Sequence, residues 1–150
     1  MGNGVVVGTP SKVANVVFDC ENPQAQAEFW AGVLGYPRPA WPDELVAGLR
    51  GKGATQQDLD SRSVAVDPGS EGPRLYFQKV PEGKVVKNRV HLDVASVPGE
   101  AASPEEVDAE KDRIVSLGAT VLRKTDARQD LFGEYYYVML DPEGNEFCVT

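Results

Sequence analysis

Two segments of the chain place apolar residues at helical spacing between matching start and stop signals. In NPQAQAEFWAGVLG, Asn22 and Pro23 supply an N-cap and a preset first turn, Ala27, Trp30 and Leu34 fall on one face, and Gly35 stops the run. In the second, Ser103-Pro104-Glu105-Glu106 forms a capping box with Pro at the first helical position, Val107, Ile114 and Leu117 give the apolar stripe, and Gly118 ends it. Each predicted helix follows a strand-like run in which apolar residues alternate. Val16, Phe18 and Cys20 share one face of VANVVFDC (13–20), as Val90, Leu92 and Val94 share one face of NRVHLDV (88–94). Further strands are predicted at RSVAVD and PRLYFQKV after the first helix, and at GATVLRK, EYYYVML and EFCVT after the second. Between Tyr36 and Ser61, PDELVAGLR predicts a short helix and GKGATQQDLD a surface loop.

The pattern repeats. Asp19 and Asp93 are 74 residues apart and Gly35 and Gly118 are 83 apart, the longer loop ASVPGEAAS absorbing the difference. One helix per half, followed by runs of strands, argues for an α+β architecture of mixed or antiparallel sheet with helices on one side. The expected organisation is a leader over residues 1–12 and a single domain over 13–150, with one module at about 13–80 and a second at about 88–150. The opening GNGVVVG resembles a phosphate-binding glycine loop only superficially, having no strand before it and no helix after it.

Charge narrows the partners. Fifteen Lys and Arg stand against 23 Asp and Glu, a formal net charge of −8 that repels a phosphate backbone, so nucleic acid is not an expected partner. The sequence has no apolar run near the length that spans a bilayer and no secretory leader, which gives a cytoplasmic protein with no membrane partner as the expectation. Two cysteines, Cys20 and Cys148, make neither a disulfide framework nor a C-x-x-C metal pair, and both read as buried, reduced thiols.

If the apolar parity marks the side packed on the helices, the opposite parity carries Asn15, Val17 and Asp19; Tyr76 and Gln78; Arg89, His91 and Asp93; Glu146 and Cys148. That set holds the one histidine of the chain, an arginine and three carboxylates in corresponding strand positions. Two sheets curving toward each other would gather these groups into a concave ligand site. Trp30 reads as core; Tyr136 or Tyr137 lines the hollow; and Lys84, Lys87 and Arg89, beside the turn-like Pro81-Glu82-Gly83-Lys84, read as a solvated loop or a positive rim.

NPQAQAEFWAGVLGY, NRVHLDV and YYYVMLDPEGNEFCV, set in paired half-domains, resemble the glyoxalase, bleomycin-resistance and extradiol-dioxygenase superfamily, also called vicinal oxygen chelate proteins, and within it the glyoxalase-like bacterial branch. The resemblance runs from about Val13 to Val149. It implies two βαβββ modules whose sheets form a cup with the helices outside. In metal-dependent members it further implies a divalent ion held by His or Gln near the start of each module's first strand and by Glu on later strands. Those positions correspond here to Asn15, Arg89, Cys148 and Gln78, and an arginine has no lone pair to give a metal.

Three readings stay open. One is a metal-free cup for a small organic molecule, with Arg89 as anion clamp or as partner of Asp19 or Asp93. Another is a displaced site for Zn, Ni, Mn or Fe built from His91, Glu146 and Asp19 or Asp93, serving a lyase, isomerase or dioxygenase. The third is a satisfied hydrogen-bond network without ligand, in a structural protein or a homodimer joined through exposed strand edges. No cofactor is favoured over the metal-free cup, and Cys148 as a nucleophile ranks below all three.

Overall fold

The computed structural model describes Gly4 and residues 8–150. Part of the expected leader, and most of GNGVVVG, lies outside the described residues; Gly8 to Lys12 is exposed and belongs to no helix or strand. The elements are β1 (Val16–Cys20), α1 (Pro23–Leu34), α2 (Asp43–Gly51), α3 (Gln56–Asp60), β2 (Arg62–Ala65), β3 (Leu75–Lys79), β4 (Asp93–Val94), α4 (Pro104–Leu117), β5 (Thr120–Ala127), β6 (Glu134–Leu140) and β7 (Glu146–Val149).

The two long helices start and stop where their caps dictate. The Asn22 side chain accepts a hydrogen bond from the Ala25 amide at 3.1 Å, and Gly35 takes the left-handed conformation (φ 70°) that closes α1. Ser103 and Glu106 exchange side-chain and backbone bonds at the start of α4. A second box, Thr55 with Asp58, starts α3 inside the stretch expected to be a loop; this T-x-x-D signal was present in the sequence and corrects that expectation.

The strands form two open mixed sheets, β1-β3-β2 and β4-β7-β6-β5, in each of which the first strand runs parallel to its neighbour and the rest pair antiparallel. The second module is a full βαβββ unit. The first is not: it has the three strands read from its sequence, and α2, where a short helix was expected, with α3 fills the span between α1 and β2, so the βαβββ order implied by the resemblance is incomplete. Nor do all helices keep to the outer side. Trp41, Leu45, Leu49 and Leu59 of the α2–α3 region enclose a hollow of about 160 Å³ against Arg62 and Tyr76, whose parity is opposite to that of the buried Ser63, Ala65, Leu75 and Phe77.

The core lies between the sheets and α1. Trp30, Phe77, Phe147, Leu75, Ile114 and Met139 are fully buried and come from both modules. Helix α1 buries more than the expected stripe, because Phe29, Ala31 and Val33 also pack, against α4 and β7 as well as its own sheet. Helix α4 buries only Val107 and Ile114; Leu117 stays 39% exposed, its methyls lying over Gly32 of α1.

A loop of the second module clamps the helix of the first. Buried Asp141 accepts hydrogen bonds from Gln26 Nε2 (2.8 Å) and Trp30 Nε1 (3.1 Å), donors one helical turn apart, and from the backbone amides of Glu143 and Asn145. The Glu143 carboxylate in turn accepts from the amides of Glu21 (2.6 Å) and Asn22 (3.1 Å). Asp67, which precedes Asp141 by the same 74 residues that separate Asp19 and Asp93, holds the equivalent loop of the first module through the amides of Gly69, Glu71 and Gly72.

Candidate functional site

The two sheets do not hydrogen-bond to each other; between β1 on one side and residues 80–92 with the start of β7 on the other lies a cavity of about 360 Å³. Its floor is apolar: Val16, Phe18, Trp30, Leu92 and Phe147. Its rim carries Asp19, Glu82, Lys84, Asn88, His91, Asn145 and Glu146. The cavity therefore occupies the seam between the modules, where core-facing and outward-facing parities both reach it. The whole outward face does not form one hollow.

Each side chain arrives there for a local reason. Asp19 projects from β1 and accepts a 2.6 Å bond from Gln78 Nε2, its register partner on β3. Glu146 opens β7 and holds the inter-module segment: Lys84 Nζ and the Asn88 amide each donate to its carboxylate at 3.0 Å. That segment was expected to be a strand from residue 88, yet only Asp93–Val94 joins the sheet, next to Cys148 and Val149. The Asn88 amide is spent on a side chain instead of a ladder, so alternation does not hold before Leu92. Val90 consequently is 80% exposed and does not join the apolar stripe assigned to it.

Of the ten residues singled out in the sequence, Val17, Asp19, His91 and Glu146 line the cavity. Asn15 precedes β1 and is exposed, and Arg89 is exposed and enters no ion pair among the described residues, so the expected clamp to Asp19 or Asp93 is not formed. Tyr76 turns to the α2–α3 hollow, where Arg62 donates to its hydroxyl at 3.4 Å. Gln78 supports Asp19 from the neighbouring strand. Asp93 and Cys148 sit beside His91 outside the cavity wall. Tyr137 packs toward α4, donating with Tyr135 to Asp108 at 2.7 Å, so of the two candidate tyrosines it is not the one on the hollow side.

Sequence reasoning passed over the apolar floor and, in the segment 80–92, the contributions of Glu82 and Asn88. Trp30 is core as expected and floors the cavity as well; Lys84 was visible as part of a positive rim, but its partner Glu146 lies 62 residues away.

Electrostatics separate the groups further. Burial works against the charge on Glu146, but the Asn88 amide and Lys84 outweigh it and hold its carboxyl below the ordinary value. Burial, then the charges of Glu143, Asp19 and Asp141, pushes the Cys20 thiol up to about 12, and its Sγ lies 3.5 Å from the Gln78 carbonyl. Burial and then Asp93 raise Cys148, against the opposing charges of Arg123 and Lys87. Neither cysteine is an activated nucleophile.

Glu146, Asp58, Asp67, Asp108 and Asp126 all ionise more readily folded than free. A carboxyl with a lowered folded pKa contributes stability that is fully present above its unfolded value, about 4, and is lost as pH falls through the folded one. The thermal midpoint is therefore expected to fall progressively as pH drops from 5 toward 2, and Glu146→Gln should flatten that fall while lowering the neutral-pH midpoint. A midpoint independent of pH across that range would contradict the assigned pairings.

The metal positions implied by the family resemblance do not fit an ion here: Asn15 and Arg89 are exposed, Arg89 lacks a lone pair, and the Gln78 amide is turned to Asp19. The displaced set fares similarly, since Glu146 is engaged by Lys84 and Asn88, and Asp19 by Gln78. Among the described residues, the ligand atoms of His91, Asp93 and Cys148 do lie within 4.8 Å of one another.

Comparison with known proteins agrees with this architecture. A family model described as a glyoxalase-like domain matches residues 15–150. A search of curated proteins gives no match. Among solved structures, a glyoxalase/bleomycin resistance protein/dioxygenase family enzyme from Burkholderia phytofirmans PsJN aligns with a TM-score of 0.60 at 16% identity, covering 93% of this chain and 97% of that one. A possible glyoxalase from Bacillus cereus aligns at 0.59 and 17%, covering 94% and 99%. The fosfomycin resistance protein FosX from Mesorhizobium loti aligns at 0.60 and 10%, covering 94% and 91%. At such identities these structures share the fold alone, and the family match fixes the assignment: the chain belongs to the glyoxalase-like domain family.

Proposed function

We propose that the chain binds a small organic molecule with an apolar or aromatic body and a cationic or hydrogen-bond-donating group, in the seam between β1 and β7. The observation that carries this reading is the cavity of about 360 Å³, lined from both modules, with an aromatic floor under a polar rim. That size suits a metabolite or drug-like compound. The rim holds three carboxylates, Asp19, Glu82 and Glu146, against Lys84, and Lys84 is already paired with Glu146. A cationic group entering beside Asp19 and Glu82 is favoured and an anion is repelled. The reading takes residues 13–150 as one domain behind a leader over 1–12, and places the protein in the cytoplasm, as a homodimer, with no nucleic-acid or membrane partner.

Catalysis by a metal-dependent lyase, isomerase or dioxygenase mechanism is the second reading, favoured by the grouping of His91, Asp93 and Cys148 beside the cavity. When bound there, an ion would polarise a substrate oxygen. His91, which also lines the cavity, would hold that ion at the cavity wall.

The test is calorimetry and thermal shift with a panel of aromatic amines and their neutral and anionic counterparts. Amines are expected to raise the midpoint by mass action, and Asp19→Asn to weaken them about tenfold, a loss of about 1.4 kcal/mol. Preference for the anions, or no response across the panel, overturns the reading.

A further inference from the structure

The second module carries a donor set, His91, Asp93 and Cys148, of which only His91 reaches the cavity wall, and its ability to hold an ion underlies the second reading above. β4 and β7 run parallel with Asp93 opposite Cys148, so both side chains leave the same face of the sheet about 5 Å apart along the hydrogen-bonding direction. His91, two residues before Asp93, turns the same way, and its Nε2 lies 3.3 Å from Asp93 Oδ1. One imidazole, one carboxylate and one sulfur thus converge with ligand atoms within 4.8 Å of one another.

We infer that His91, Asp93 and Cys148 form a binding site for a thiophilic borderline divalent cation, Zn²⁺ being the type. An ion bonded to these donors at about 2.0–2.3 Å in tetrahedral geometry needs them roughly 3.3–3.8 Å apart. The imidazole and carboxylate already stand at that separation. The remaining contraction falls to rotations of His91 and Asp93, whose side chains are 50% and 63% exposed, while the buried Cys148 stays fixed. Thiolate and imidazole select zinc or cobalt over magnesium or calcium. Charge balances too: a thiolate and a carboxylate together neutralise a divalent ion, which suits a half-buried position, the ion displacing the thiol proton as it binds.

The site shares Cys148 with the set implied by the family resemblance, but that set draws donors from both modules; here all three belong to the second. It is also independent of the ligand reading, sharing only His91 with the cavity wall. A fourth position faces outward and is free for water or a ligand atom.

The experiment is titration of the chelator-stripped protein with Co²⁺ alone, followed by Zn²⁺, in neutral buffer. The expected result is one Co²⁺ per chain with a near-ultraviolet thiolate-to-cobalt charge-transfer band that Zn²⁺ displaces. Cys148→Ala should abolish the band, Cys20→Ala should leave it intact, and His91→Ala and Asp93→Asn should each weaken binding at least tenfold. The last two replace exposed side chains and serve where the Cys148 variant does not fold. Absence of the band, or its persistence in Cys148→Ala, overturns the inference, as does unchanged affinity in both exposed-residue variants. None of these outcomes alters the amine panel above, so the two readings fail separately.

Discussion

Trp30→Ala is expected to destabilise the protein by about 3–5 kcal/mol, the range for truncating a fully buried large aromatic. The indole is 1% exposed and meets the rings of Phe18, Phe29 and Phe147 at centroid distances of 5.2, 5.4 and 5.0 Å. Phe18 belongs to the first module and Phe147 to the second, so the void opens at the joint between them. The same change removes the Nε1 donor from Asp141 Oδ2, although Gln26 and the loop amides still bind that carboxylate. At about 2–4 °C per kcal/mol for a chain of this size, the midpoint should drop on the order of 10 °C. Trp30→Phe keeps most of the aromatic contact and should cost less than half as much. Denaturant titration at neutral pH measures both, and a loss below about 1 kcal/mol for the alanine variant would show that the joint does not rest on this ring.

Glu146→Ala is expected to cost about 2–3 kcal/mol, more than an exposed ion pair is worth. The Lys84 and Glu146 side chains are only 22% and 14% exposed, and truncation leaves both an ammonium and the Asn88 amide without their acceptor. Lys84→Ala should cost less, because Glu146 retains the amide. A double-mutant cycle should return a coupling of about 1 kcal/mol, and additive losses would deny the pair. Proteolysis supplies a second reading of the same contact. Val85 and Val86 are 93% and 75% exposed, so once Glu146 no longer ties the segment down on either side of them, cleavage there should accelerate. Equal cleavage rates in the two proteins would mean the segment is held by something else.

The floor of the site illustrates why the seam was only half legible. Asp19, His91 and Glu146 could be placed on one side of their strands from alternation, because parity is a property of the local backbone. Trp30 could be assigned to the core from helical spacing, but nothing local tells a core ring from one that also floors a cavity. Lys84 read as part of a solvated loop or positive rim, and Glu146 as a group on the hollow side of its strand. Their pairing depends on how the segment 81–92 returns to β7, and no nearby residue encodes that path.

The family motifs and the caps at Asn22, Gly35, Ser103 and Gly118 determined the two helices, the repeat and the α+β class, since capping and periodicity act over a few residues and survive any tertiary context. Tertiary structure decided what depends on competition between distant partners. It kept the first module to three strands, took the Asn88 amide from the ladder for the Glu146 carboxylate, left Val90 in solvent, and turned Tyr137 to Asp108. It also brought Asp93 opposite Cys148, residues 55 apart in the chain, because strand register is set by pairing across the sheet and by neither strand alone.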